Sequence, residues 1–424
     1  MDDGTVSENE GNRTSGRRSQ SSEEMQNLEL DAEDFDITLA ASHSYLSQDL
    51  VAITGRPDLE PGWTGTIPVM AHHGAVFPGE TVPMLLTDTQ DVLIISHALD
   101  NDKIFGLLCP DETCTYISGY GVLCEVIEAS NSNDAPQTLS FRSQASHRFR
   151  FKVMPKMSKP IHLYNRMKLV EILILPEVQL GDPLQQVRLP SLDNWRRERT
   201  MLADNRFRII DSAMTTWPHF VYDIFDFHRM KQTIKEYFRN IVKTSIPEEP
   251  VSLSFWTASN LTLTPRDRLA LFMVDDALLR LHMEVRLIGL NSVLCCVSCS
   301  TEIARRENMF AMSTEGVHSN YINLGGYMHD LVTVTQTQNI QLSGPASAEF
   351  SWFPGYAWSI ALCVCCMAHV GWRFDALKRA VRPSQFFGLC RNNVVPRPAP
   401  TPPLLTSTPP PANLPSDGSV SQPL

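Results

Sequence analysis

Basic side chains are in short supply. The chain of 424 residues holds 36 Lys and Arg against 47 Asp and Glu, a net charge of −11 at neutral pH. No basic stripe is present to displace counterions from a phosphate backbone, which excludes a general nucleic-acid binder. The deficit is uneven, because residues 1–34 carry ten acidic and three basic side chains, −7 of the total. A GxxxxGK[ST] phosphate loop is missing, and so is a GxSxG nucleophile elbow. ATP-driven chemistry of the first kind and serine hydrolysis of the second are therefore not encoded. No internal repeat is found. The N-terminus "MDDGTVSENEGNRTSG" has no basic start leading into an apolar run, so it is not read as a secretory signal. Phe350 to Trp372 is uncharged for 23 residues, long enough on length alone to cross a bilayer. Pro354-Gly355 breaks that stretch, and its Ser, Cys and His residues suit lipid poorly. The expectation is a protein of the cytoplasm and nucleus, with no membrane span. There its ten cysteines serve as thiols and metal ligands rather than disulfides.

What is present is a globular composition, 43% hydrophobic and 20% charged. Residues 1–34 read as a disordered acidic tail and 35–62 as an extended lead-in. The end, 396–424, with ten of the chain's 29 prolines, reads as a second disordered tail. Over 63–182 short apolar runs such as "TIPVMAHHGAVFPGETVPMLL", the alternating "HRFRFKVM" and "MKLVEILIL" predict a mostly β domain. Its "FPG" before "TVPMLL" resembles the N-terminal domain of Lon-type proteases. Residues 183–290 switch to helical period. Pro218 starts one helix, with Met230, Ile234, Tyr237, Phe238 and Ile241 on one face. Thr264 caps another at Pro265, striped by Leu269, Met273, Ala277, Leu281, Val285 and Ile288 as far as Gly289. From 291 to 395 the pattern is β-rich again, in "NMFAMS", "LVTVTQTQNIQL" and "SIALCVCC". The fold class expected is α+β multidomain.

Two CxxC pairs, Cys296/Cys299 and Cys363/Cys366, supply the thiolates of a closed tetrahedral zinc site, one knuckle from each pair. Neither pair enters a helix within a βαβ unit, as a thioredoxin-like redox motif would. One structural Zn²⁺ is therefore expected. Cys295 and Cys365 read as packing residues. Cys109, Cys114, Cys124 and Cys390 stand isolated, and His72, His73 and His329 read as ordinary polar residues.

Trp352, Trp358 and Trp372 fall within 21 residues, close to Phe374. Such rings either fill a small β core or wall a pocket, and the pocket takes a cation on ring faces or a neutral ring by burial. The surrounding pattern decides the point. Glu349-x-Ser351-Trp352-Phe353-Pro354-Gly355-Tyr356-Ala357-Trp358, then Cys363-x-x-Cys366, then His369-x-Gly371-Trp372-x-Phe374 resembles the thalidomide-binding domain of the cereblon family. "NLGGYMHDLVTV" is similar to that domain's first loop and strand, and "FDITLAASHSYL" to the segment before the Lon-like domain.

The resemblance implies a non-catalytic substrate receptor of a cullin-RING E3 ubiquitin ligase. Its helical region would bind the damage-specific DNA-binding adaptor of the cullin-four ligase, with Trp217, Phe220, Phe225 and Phe227 as candidate anchors. The three tryptophans would wall a pocket with Phe374 at its base, and Asn323, Phe350, Ser351 and Tyr356 would border it. The backbone of 350–352 would offer a carbonyl and an amide to a cyclic imide. Substrates with a cyclised C-terminal Asn or Gln, and immunomodulatory imide drugs, are the ligands implied. Two departures are notable: the family's histidine two residues before the first pocket tryptophan is Phe350 here, and the first loop reads Leu324-Gly325-Gly326. The competing readings are a reader of methylated cations, for which Glu349 is the nearest carboxylate, and a Lon-related protease accessory protein.

Overall fold

In a computed structural model of the chain, residues 33–47, 49–55, 57–130, 138–181, 209, 213, 215–288, 290 and 292–398 are described. The readings of 1–32, 182–208 and 399–424 lie outside the described residues.

Strand β1 (Glu33–Asp34) pairs in parallel with Val381 and Arg382, and helix α1 (Ile37–Ala41) follows. This corrects the expectation of an extended lead-in over 35–62. Asp36 accepts the Thr38 amide as an N-cap, and Ala40 is buried among C-terminal aromatics. Strand β2 (Leu50–Ala52) joins β3 (Thr64–Ala71), β4 (Thr81–Leu86), β5 (Ile104–Pro110), β6 (Ile117–Ser130), β7 (Leu139–Phe151) and β8 (Lys168–Ile174) in one sheet. The order is β2-β6-β5-β3-β8-β7-β4, and a further β6–β7 pairing closes five strands into a small barrel. Val69, Leu123, Phe149 and Ile172 form its dry interior. Helix α2 (Thr89–Asp100) departs from the β reading of this region, and Asp88 caps it by accepting two backbone amides.

The helices that follow are α3 (His219–Phe225), α4 (Phe227–Phe238), α5 (Pro250–Asn260), α6 (Pro265–Phe272) and α7 (Ala277–Ile288). Each long helix read from the sequence is in fact two. Asp226 stops α3 and caps α4 through the Arg229 amide. Asp276 caps the start of α7 through the Leu279 amide and also binds the Leu180 amide, so the chain breaks at Met273 to Asp276. Met273, assigned to the buried stripe, is exposed. Thr264 and Pro265 start α6 as the sequence predicts. Among the described residues, no helix is long and apolar enough to cross a membrane.

The last segment builds β9 (Val293–Cys296), β10 (Glu302–Arg305), β11 (His318–Ile322), β12 (Met328–Val334), β13 (Ile340–Ser347), β14 (Tyr356–Cys363), β15 (His369–Ala376), β16 (Val381–Arg382), β17 (Gln385–Cys390) and β18 (Val394–Arg397). They make a three-stranded sheet, β10-β9-β18, and a six-stranded antiparallel one, β11-β12-β17-β15-β14-β13. "NMFAMS" forms only isolated bridges, at Met309 and Ser313. Gly371 allows β15 to lie close on β17, since a Cβ there would meet the Gly388 carbonyl oxygen at 2.1 Å.

One apolar cluster runs without a break from the barrel (Phe77, Val82) through the helices (Leu253, Phe272) to the C-terminal sheets (Val334, Cys363). Glu80, directly after the "FPG" motif, ties the same three parts by polar contacts. It accepts from the Phe77 amide at 3.0 Å, Ser259 Oγ at 2.8 Å and Asn320 Nδ2 at 3.0 Å. The molecule therefore presents its C-terminal site on a supported frame.

A candidate zinc centre and aromatic pocket

The two CxxC pairs are far apart in sequence and meet because β9 and β14 deliver them from different sheets. The knuckles are built alike. The Cys296 amide donates to the Thr301 carbonyl and the Ser300 amide to the Cys296 carbonyl, at 2.8 and 2.9 Å. The Cys363 amide donates to the Ala368 carbonyl and the Met367 amide to the Cys363 carbonyl, at 2.9 and 2.8 Å. Ser300 and Met367, each directly after its pair, both take the left-handed conformation, at φ +64° and +60°. This matched turn turns four sulfurs inward. All lie within 4.8 Å of one another, with Cys296–Cys366 at 3.6 Å and Cys299–Cys363 at 3.5 Å. Sulfurs on a tetrahedron about 2.3 Å from zinc are about 3.8 Å apart, so the cluster fits that ion. Cys296 and Cys363 are fully buried, while Cys366 reaches the surface. Cys295 packs inside, but Cys365, read as a packing residue, is exposed because the turn points it outward.

The tryptophans lie on and beside β14 and β15, next to the second knuckle. Trp352 and Trp372 meet edge to face, with centroids 4.8 Å apart at 81°. Trp352 also stacks on Tyr321 at 5.4 Å and donates its indole N–H to the Ile322 carbonyl at 2.9 Å. Trp358 donates its own N–H to the Glu349 carbonyl at 2.9 Å, which holds the intervening loop across the rings. Within that loop Phe350 takes a left-handed conformation, φ +52°, and sets its ring edge against Tyr45 at 5.3 Å. Ser351 closes the turn through Oγ to the Phe353 carbonyl. Among the described residues, neither the Phe350 carbonyl nor the Trp352 amide makes a hydrogen bond.

The other predicted border residues have different places. Asn323 braces the neighbouring loop, accepting the Gly325 and Tyr327 amides at 3.0 Å each and lying 3.3 Å from His329 Nε2. Phe374 is buried, stacked on Phe386 and edge-on to Phe353. Tyr356 is fully buried and donates to the Pro383 carbonyl, which gives it a core role. Three residues went unrecognised. His329 and His369 stand edge-on to Trp372 at 5.0 and 4.6 Å, and Tyr45 arrives from the N-terminal segment to receive the Ile322 amide on its hydroxyl. Burial holds His329 down to about 4 and lowers His369 as well, so both rings are neutral at pH 7.

In the helical region, Trp217, just before α3, and Phe220 are 52% and 64% exposed. Phe225 and Phe227 are half-buried against the core.

Comparison with known proteins supplies what geometry alone does not. Residues 66–289 match the family described as ATP-dependent protease La (LON) substrate-binding domain, and residues 292–397 match Yippee zinc-binding/DNA-binding/Mis18, centromere assembly. Protein cereblon of Gallus gallus is 30% identical over 86% of this chain and 85% of its own length. Protein cereblon of Danio rerio is 30% identical over 85% of this chain and 88% of its own. The chain belongs to the cereblon family. Within that family it pairs a Lon-type N-terminal region with a C-terminal domain that matches a zinc-binding family and carries the cluster of Cys296, Cys299, Cys363 and Cys366. Protein cereblon of Drosophila virilis is 31% identical over 87% of this cereblon-family chain and 58% of its own length. A Lon N-terminal domain protein from Xanthomonas campestris aligns in structure at a TM-score of 0.30, with 15% identity, covering 52% of this chain and 98% of its own.

Proposed function

We propose that this chain is a non-catalytic substrate receptor of a cullin-RING E3 ubiquitin ligase, acting in the cytoplasm and nucleus. Its C-terminal pocket captures proteins ending in a cyclic imide, and its helical region docks on the damage-specific DNA-binding adaptor. The observation carrying this reading is the pair of perpendicular indoles, Trp352 and Trp372, beside Trp358 and the free backbone groups of residues 350–352. A glutarimide or succinimide ring is compact and uncharged, with two acceptors flanking one donor. The Trp352 amide suits an imide carbonyl and the Phe350 carbonyl suits the imide N–H, while the indoles bury the ring. Immunomodulatory imide drugs present the same edge.

The walls favour this ligand over a methylated cation. A methylated cation would gain from a carboxylate set against the rings, and Glu349, the nearest one in sequence to Trp352, is exposed. One zinc ion at the four cysteines holds the fold, because four protein ligands leave no open position for chemistry. Reconstituting the full-length chain with the cullin-four ligase tests the assignment. A substrate peptide ending in cyclised asparagine should be ubiquitinated and its ring-opened form should not. Equal modification of both would refute the proposed specificity.

A further inference from the structure

Where the barrel, the helices and the C-terminal sheets meet, a cavity of about 530 Å³ opens, bordered by Glu80, Glu177, Trp256, Glu315 and Asn320 among others. Three of these are carboxylates, and among the described residues no Lys or Arg borders the space. Two of the three are compensated from outside it. Glu177 pairs with buried Arg148 at 2.5 Å and Arg280 at 2.9 Å, and Glu80 lies 3.7 Å from Arg268. Among the described residues Glu315 has no ion-pair partner, and the charge of Glu80 reaches it. Burial, with Glu80 adding to it, pushes the Glu315 carboxyl up to about 7. His318, which also borders the cavity, is held neutral by burial and supplies no charge.

A second observation points to a missing donor. Asn320 is 1% exposed, and its Nδ2 is committed to Glu80 Oε2 at 3.0 Å and the Thr81 carbonyl at 3.2 Å. That fixes the amide orientation and leaves Oδ1 buried with no donor. An orphaned buried acceptor is costly, and it borders the same cavity as Glu315, whose carboxyl has hydrogen bonds from Thr81 and Ser319 but no cationic partner among the described residues. The half-buried Trp256 adds an indole to the wall.

We propose that this three-way cavity binds a compact organic cation, an alkyl-guanidinium or alkyl-ammonium group, which donates to Glu315 and to Asn320 Oδ1. Its volume suits a small metabolite amine or the side chain of an inserted arginine. The site lies apart from the tryptophan pocket and does not depend on the reading of that pocket.

Calorimetry on the full-length chain tests this, with agmatine and the tripeptide Gly-Arg-Gly as cations and n-butylurea as a neutral control. At least one cation should bind saturably and n-butylurea should not. Agmatine alone would assign a free amine, and the tripeptide would assign an arginine side chain. Glu315→Gln, close in shape, should weaken binding at least about tenfold, the size of one charge-assisted hydrogen bond. The same variant should melt higher than the parent without ligand at pH 8, because it removes repulsion from Glu80. Two results would overturn the site: no saturable binding of either cation to the folded parent, or equal affinity in the parent and Glu315→Gln.

Discussion

On the proposed imide reading, Phe350 sets affinity without defining the pocket. A phenyl ring donates no hydrogen bond, so the imide is left with the backbone contacts and the indoles. A neutral hydrogen bond contributes about 0.5–1.5 kcal/mol. Phe350→His should therefore tighten cyclic-imide binding by up to about tenfold. The left-handed backbone at this position, φ +52°, tolerates histidine well. Trp358→Ala should remove binding, because it deletes a wall and also the indole N–H that anchors the Glu349 carbonyl. Unchanged affinity in Phe350→His, measured by calorimetry, would mean that the imide sits in another pose. Glu315 gives a second test at this scale. Its carboxyl is raised from the usual 4.5 to about 7 in the folded state. The folded chain then holds a proton that the unfolded chain has released, so stability falls as pH rises through that window and levels off above it. Glu315→Gln should match the parent in denaturant unfolding near pH 4.5 and exceed it at pH 8. A constant difference between the two pH values would contradict the assignment.

At the scale of elements, the zinc knuckles are where local sequence and local structure agree best. The CxxC spacing makes each turn, and the left-handed Ser300 and Met367 complete it. Metal binding here should form part of the folding free energy, since four thiolates rarely converge in an unfolded chain. Elemental analysis should give one zinc per chain. Cys366→Ser, at the exposed corner, should lower zinc occupancy and thermal stability together, and a variant that loses zinc without loss of stability would contradict a structural role. Other elements were less legible. Hydrophobic period continued smoothly through Met273, and only the local capping by Asp276 reveals the break between α6 and α7. Helix α2 was hidden among apolar runs whose alternation suited strands. Tyr45 could not be placed on the pocket at all, because its partners Ile322 and Phe350 are about 300 residues away and nothing local in the sequence links them.

At the scale of the whole molecule, the shared apolar cluster and the Glu80 hub make the three parts one supported body. The cysteine pairs pointed to the C-terminal metal centre from the sequence alone, but this joint is not legible locally, since it is assembled from residues dispersed between Phe77 and Cys363. The joint has a practical consequence for testing partner binding: deleting the C-terminal sheets would strip the helices of core contacts, so point variants are the cleaner probe. Trp217→Ala combined with Phe220→Ala removes two exposed aromatics of the helical region with little cost to the core. The pair should weaken adaptor capture by at least about tenfold while leaving imide affinity unchanged. Adaptor binding that survives the double variant would place the interface elsewhere.

The central claim is that the three tryptophans form a pocket for a neutral cyclic imide. The direct measurement is intrinsic tryptophan fluorescence of the full-length chain, titrated separately with a glutarimide ligand and with trimethyl-lysine. The account predicts a saturable change with glutarimide that is absent in Trp358→Ala, and no saturable change with trimethyl-lysine. Saturation by trimethyl-lysine and none by glutarimide would contradict it.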